Sequence, residues 1–153
     1  MKIVILAVGK LKDKRISAMA GEYLDRIRPA GMVAVERTAD SASGSAEERM
    51  EREGQEVLKR LRPRDRLLLL REDGEEYDSV SFARLLSQEM ESSAGRVAFA
   101  IGGPWGTSRE LKERADKGIA LSRMTFTHEM CFLFLTEQIY RAFTILQGTG
   151  YHH

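Results

Sequence analysis

The sequence predicts an α/β fold, a mostly parallel sheet flanked by helices. Three observations carry this expectation. Short apolar runs alternate along the chain with amphipathic segments of helical period. The run Ile3–Val8 lacks the polar alternation of a half-solvated strand, as strands covered on both faces do. No internal repeat, low-complexity tract or linker interrupts the 153 residues, so one domain over residues 1–153 is expected.

Ile3–Val8 reads as the first strand. Its place near the start imitates a signal peptide. However, the apolar run is short, no small-x-small cleavage pattern follows, and Lys10, Lys12, Lys14 and Arg15 close it off. A cytoplasmic protein is expected. After Gly9 and a basic loop, Ile16, Met19, Ala20, Tyr23, Leu24 and Ile27 recur at helical spacing until Pro29. Met32–Glu36 is a short second strand, and residues 38–46 read as loop. Ser45 with Glu48 forms a capping box, so a largely solvated helix is expected from about Ala46 to Arg62, before Pro63. Arg66–Leu70 is the third strand, followed by a turn at Asp73-Gly74 and a helix near Val80–Met90. Arg96–Ile101 is a fourth, buried strand that runs into Gly102-Gly103-Pro104-Trp105-Gly106. Thr107 or Ser108 caps a helix through about Lys117, Ile119–Leu121 is the fifth strand, and Ser122–Thr127 is a loop. A long helix follows from near His128 to about Leu146. Its apolar character points to burial or to a subunit interface.

Composition narrows the function classes. Apolar residues make up 42% of the chain and the net charge is +1, which argues against a disordered state. The longest uncharged apolar stretches, Ile3–Gly9 and Met130–Thr136, fall far short of the ~18–20 residues a bilayer span needs, so no membrane partner is expected. The single cysteine, Cys131, excludes an intramolecular disulfide and a cysteine metal cluster. Residues 1–37 hold eight Lys and Arg against four Asp and Glu, whereas residues 71–91 hold two against seven. This is no uniformly basic chain. Any RNA contact is local, or is assembled from more than one chain.

Gly102–Gly106 is the strongest chemical signal read from the residues alone. Glycines just past a buried strand let a ligand approach the backbone, and the next helix offers free N–H groups. Ligands of open α/β sheets collect at that edge. The alternative is a tight strand-to-helix turn with no ligand. Neither a dinucleotide fingerprint nor a Walker sequence is present, since Gly9-Lys10 is followed by Leu11. The segment Leu121-Ser122-Arg123-Met124-Thr125-Phe126-Thr127-His128 mixes apolar shape with hydrogen-bonding groups, as a pocket for an adenosine-like ligand does, or as an ordinary capped loop does. On the last helix, Arg141 either pairs with Glu137 at i,i+4 or serves a substrate. Cys131 reads as a buried structural thiol rather than a nucleophile. The ending Gly150-Tyr151-His152-His153 suits RNA stacking, or else a frayed end or a cloning remnant. Three histidines so placed make a weak metal site, and no metal is expected.

Five segments occur in order: Met1–Lys12, Ala100–Pro104, Leu121–His128, Glu137–Ala142 and Tyr151-His152. Together they closely resemble the RlmH family of ribosomal RNA large-subunit methyltransferases, over the whole chain. The resemblance implies a SPOUT fold with a C-terminal trefoil knot, S-adenosylmethionine as methyl donor, and a homodimer. It further implies methylation of N3 of a pseudouridine in 23S ribosomal RNA on the assembled ribosome. By position it assigns Leu70, Gly102, Gly103 and the loop Leu121, Ser122, Arg123, Met124, Thr125 and Phe126 to the donor. Glu137, Arg141, Tyr151 and His152 match family positions on the RNA side, the last two reaching the partner subunit's pocket.

Three positions depart from the family pattern. Phe132 stands where an arginine is usual, removing one cation from the RNA face. Trp105 occupies a position that is often polar, and His153 replaces a common Lys or Arg. The implied chemistry is an in-line displacement, in which positioning the reactants contributes ~7–11 kcal/mol. The competing class is a non-catalytic ribosome- or RNA-binding module on the same fold. An intact Gly102, loop Leu121–Phe126 and Tyr-His ending favour the enzyme.

Overall fold

The structure, a computed structural model, describes residues 2–153. Five strands form one sheet: β1 (Ile3–Val8), β2 (Val33–Thr38), β3 (Arg66–Glu76), β4 (Val97–Ile101) and β5 (Lys117–Ala120). The order is β2-β1-β4-β3-β5, and every pairing is parallel. Five helices connect and follow the strands: α1 (Lys14–Ile27), α2 (Ala46–Leu58), α3 (Ser79–Ser92), α4 (Arg109–Arg114) and α5 (His128–Gln147).

Alternation along the strands divides the core in two. Ile3, Ile5, Leu68, Val97 and Phe99 face one side, packed with buried residues of α1, α3 and α5. Val4, Leu6, Leu67, Leu69 and Ala98 face the other, against Val57 of α2 and Leu111 of α4. Both faces are dry, which is why these strands read as unbroken apolar runs. Each helix begins where a side chain takes an orphan N–H: Asp13, Ser45, Asp78, Ser108 and Thr127 all cap in this way. Helix α5 ends at Gly148, whose φ of 68° only glycine adopts freely.

The apolar character of α5 is explained inside one chain. The helix packs against both α1 and α3 and buries Phe132, Leu133, Leu135, Ile139 and Ala142. Among the described residues, no helix is long and apolar enough to cross a membrane.

Strand β2 runs to Thr38 rather than Glu36, and three further boundary differences have local causes. Asp73-Gly74 is not a turn, because β3 continues to Glu76 and shifts register against β5 between Leu70 and Glu75. Gly74 makes this possible: a Cβ there would lie 2.6–2.7 Å from backbone atoms of Gly118 and Ile119. Helix α2 stops at Leu58, since Arg62 N–H donates to Asp65 Oδ2 at 2.9 Å and draws the chain into a turn. Helix α4 stops at Arg114, and Lys117 joins β5, because Asp116 accepts the Leu67 N–H at 2.7 Å and so leads the chain into the sheet.

The amino edge of the sheet is sealed by ion pairs. Arg96, expected to open the fourth strand, precedes it and turns its guanidinium onto Asp65 (2.7 Å), Glu36 (3.2 Å) and the Arg60 carbonyl (3.0 Å). Asp65 is held below the usual carboxylate range: its burial opposes this, but hydrogen bonds from Arg96 and from the Arg62 and Arg96 N–H groups win. Arg66 bridges Glu89 and Asp116, both at 2.9 Å.

Candidate functional site

A cavity of about 620 Å³ opens at the opposite, carboxyl edge, where β4 and β5 end, β3 shifts register and α5 begins. Eight of the nine residues assigned to the donor line it: Leu70, Gly102, Gly103, Leu121, Ser122, Met124, Thr125 and Phe126. Arg123 does not line it. Its side chain is 86% exposed and pairs with Glu76.

The glycine segment closes on itself. Gly106 N–H donates to the Gly103 carbonyl at 3.1 Å, and Gly106 has a φ of 96°. A Cβ on Gly102 would stand 2.8 Å from Thr107 Cγ2 and 2.9 Å from the Gly106 carbonyl oxygen. A Cβ on Gly103 would stand 2.7 Å from Glu53 Oε2. The loop's own packing therefore demands glycine, and the result is a wall of bare backbone. Trp105 lies outside the cavity, half-exposed, with the Arg49 guanidinium 5.1 Å from its ring centroid.

Loop Ser122–Thr127 and the start of α5 form the facing wall. Ser122 Oγ accepts the Met124 N–H at 3.0 Å, and Met124 lies exposed at the rim. Phe126 packs edge-on against Phe134 with centroids 5.2 Å apart. Cys131 is part of the lining, and burial, with Glu72 nearby, pushes its thiol up, so it stays protonated and inert. Sequence reasoning passed over Arg71, Glu72 and Glu129 as lining residues. The first two are brought there by the register shift of β3, which no local pattern announces. A second depression of about 650 Å³ lies between α2 and α4. Side chains of both signs line it, including Arg52, Glu56, Lys59, Arg109 and Glu113, and it adjoins the segment Ala39–Ser41 that leaves β2, apart from the ends of β4 and β5.

Glu137, Arg141, Tyr151 and His152 come together in a separate constellation on α5 and the tail. Glu137 Oε1 accepts from Arg141 Nη2 (2.5 Å), Arg141 Nε (3.0 Å) and the Tyr151 hydroxyl (3.2 Å). Arg141 Nη1 lies 3.2 Å from His152 Nδ1, and its guanidinium stacks 4.8 Å from the Tyr151 ring centroid. The i,i+4 pair is therefore present, and the same arginine also holds the tail. Burial first, then Tyr23 and Glu137, push the Tyr151 hydroxyl up to about 12, so it is a neutral donor. Tyr140 packs edge-on against Tyr151 at 4.8 Å, and Tyr23 and Arg26 extend the stack from α1. Tyr23 was legible only as a core-facing position of α1, and Arg26 was not singled out.

Within one chain the two groups are apart. Arg141 lies thirteen positions beyond His128 on α5, a rise of ~20 Å. Glu137 stands between them, lining a depression of about 480 Å³ that shares Leu121, Ser122 and Phe126 with the cavity.

The cavity suits a nucleoside-sized ligand. Its volume falls in the range of small-molecule sites, and its lining mixes apolar surface with backbone and hydroxyl groups and the charged Arg71, Glu72 and Glu129. Among the described residues, no group of three His, Cys, Asp or Glu side chains is placed to hold a metal ion.

A parallel α/β sheet with a small-molecule-sized cavity at its carboxyl edge hosts many activities, and sequence similarity narrows them. Residues 1–152 match the family described as "Predicted SPOUT methyltransferase". The chain belongs to the SPOUT methyltransferase family. It is similar over its whole length to a protein named Ribosomal RNA large subunit methyltransferase H from Porphyromonas gingivalis, at 44% identity and 99% of that protein. A protein of the same name from Trichlorobacter lovleyi is 43% identical over its full length, and one from Geobacter sulfurreducens is 40% identical over its full length.

Proposed function

We propose that the protein is an S-adenosylmethionine-dependent methyltransferase that modifies N3 of a pseudouridine in 23S ribosomal RNA of the assembled ribosome. The observation that carries this reading is its full-length similarity to proteins whose name states methylation of large-subunit ribosomal RNA. The gathering of eight donor-side residues around one cavity supports it. Residues 1–153 would act as a single, knotted, cytoplasmic domain.

Leu70, Gly102, Gly103 and, from the loop, Leu121, Ser122, Met124, Thr125 and Phe126 would hold the donor. When bound, S-adenosylmethionine would supply a sulfonium methyl group to nitrogen, leaving a thioether, with the imide proton released to solvent. The residues Glu137, Arg141, Tyr151 and His152 would then meet the RNA. Arg141 stays cationic, because its pairing with Glu137 raises an already high pKa. A cation beside the base favours the anionic imide over the neutral one. Tyr151, neutral at any working pH, offers a hydrogen bond and a stacking face.

A homodimer completes this arrangement. Reaction needs the two reactants ~3–3.5 Å apart, yet Arg141 stands ~20 Å along α5 from the cavity-lining His128. A two-fold partner presenting its α5 and tail to this cavity closes the gap. The test is methylation of ribosomes lacking the modification, by purified protein with S-adenosylmethionine, read by mass spectrometry of 23S nucleosides. The expected product is N3-methylpseudouridine at one position. Ribosome binding without methyl transfer would establish the non-catalytic module instead.

A further inference from the structure

We propose that Arg37 is an oxyanion-binding residue beside the donor cavity, next to the cavity-lining Glu129, supplying from β2 the cation that the resembled family carries at the position of Phe132. The proposal rests on the methyltransferase reading above. Arg37 is the penultimate residue of β2, at the carboxyl edge. Its Nη1 donates to the Gly9 carbonyl at 2.9 Å, and its guanidinium lies 4.4 Å from the Phe132 ring centroid. Phe132 is buried on α5, one turn beyond Glu129, which lines the donor cavity. Arg37 Nη2 is buried and has no hydrogen-bond partner.

Arg96 shows what a structural buried arginine looks like in this same protein. Its Nε, Nη1 and Nη2 all meet an acceptor, and two carboxylates face it. Arg37 differs on each count. The carboxylate acting on it, Glu129, uses Oε1 to accept the N–H groups of Lys12 and Asp13. Desolvation consequently outweighs that charge and lowers the pKa of Arg37, while the group remains cationic. A desolvated guanidinium packed over an aromatic ring, with an N–H to spare, is preorganised for a planar or tetrahedral oxyanion. Both reactants of the proposed reaction carry one: the donor's amino-acid carboxylate and the RNA phosphate. The identity of Phe132 then has a reason. The ring stacks the cation that now arrives from the neighbouring strand rather than from the helix itself.

The test compares wild-type protein with Arg37→Met, which keeps the apolar stem, with Arg37→Lys, and with the exchange variant Arg37→Val/Phe132→Arg. Calorimetry with S-adenosylhomocysteine reads donor affinity, methylation at two salt concentrations reads the KM for ribosomes, and thermal melting with sizing reads fold and assembly. Arg37→Met should remain folded with unchanged assembly, and should weaken one reactant by about tenfold, as expected for a lost charge-assisted contact. A raised donor Kd assigns the carboxylate. A raised ribosome KM with a shallower salt dependence assigns the phosphate. Arg37→Lys should recover only part of the loss, and the exchange variant most of it. If Arg37→Met leaves both constants unchanged while the wild type methylates ribosomes, the proposal is wrong. The same holds if the variant only lowers the melting temperature or alters assembly. Should Arg37→Met not fold, unchanged constants in Arg37→Lys and no recovery in the exchange variant overturn it equally. A wild type inactive on ribosomes overturns the underlying reading instead, and the calorimetry still decides whether Arg37 meets the donor.

Discussion

The two edges of the sheet handle buried polar groups in opposite ways. At the amino edge, Asp65, Arg96, Arg66, Glu89 and Asp116 satisfy one another and also bind the backbone that enters β3 and β4. At the carboxyl edge, three buried side-chain atoms have no partner among the described residues: Arg37 Nη2, Thr38 Oγ1 and Glu53 Oε2. The first two end β2, and the third presses against Gly103. Burying a polar atom without a partner is costly, so natural folds keep few and concentrate them where function requires it. One edge is built to hold the fold, the other to hold something else.

The largest effect expected from breaking this contrast is on stability at the amino edge. Removing one member of a buried ion pair strands the other, and Asp65→Ala should destabilise the fold by about 3–5 kcal/mol. Chemical denaturation measures this, and activity per folded molecule should be preserved. The pH dependence follows from the lowered pKa of Asp65. A carboxylate whose folded pKa is depressed contributes stability above its unfolded value of about 3.9, and that stability is lost as pH falls through the folded pKa. The gap between wild type and Asp65→Asn should therefore narrow as the solution is acidified below about pH 4.

The next effect belongs to the carboxyl edge. Gly102→Val places atoms where Thr107 and the Gly106 carbonyl already stand, so the loop must move. Donor affinity should fall by about 100-fold or more, ~2.7 kcal/mol, with unfolding still cooperative. Deleting residues 149–153 should instead spare donor binding and stop methylation. Mixed dimers of the two defective chains should regain activity, since they hold one intact cavity and one intact tail. Mixed dimers that remain inactive would place the tail in its own subunit's site.

The smallest effect sharpens the boundary of the cavity. Arg123 was assigned to the donor by resemblance, yet it points outward onto Glu76. Arg123→Ala should change donor affinity by less than about twofold, and an exposed pair of this kind contributes less than ~1 kcal/mol to stability. A tenfold loss of affinity would return Arg123 to the site.

Much of the fold was legible because its signals are local. Ile3–Val8 announces a strand buried on both faces, and Ser45 and the Thr107-Ser108 pair announce helix starts. The Gly102–Gly106 segment was legible as a candidate cavity wall from residue chemistry alone, whereas Leu70 came only from the family resemblance. What escaped depends on approach across the sheet. Gly74 reads as a turn until Gly118 and Ile119 are seen against it. Arg96 reads as an ordinary strand residue until Asp65 is found beneath it. Arg37 and Glu53 carry no pattern at all, since their meaning lies in what surrounds them after folding.

The central claim is that reactants bind at the carboxyl edge while the amino edge serves the fold. Amide hydrogen exchange with and without S-adenosylhomocysteine tests it most directly. Protection should rise in residues 70–72, 101–107 and 121–131, with no change at residues 62–66 and 94–97. Protection centred instead on the depression between α2 and α4, or on the amino edge, would contradict the account.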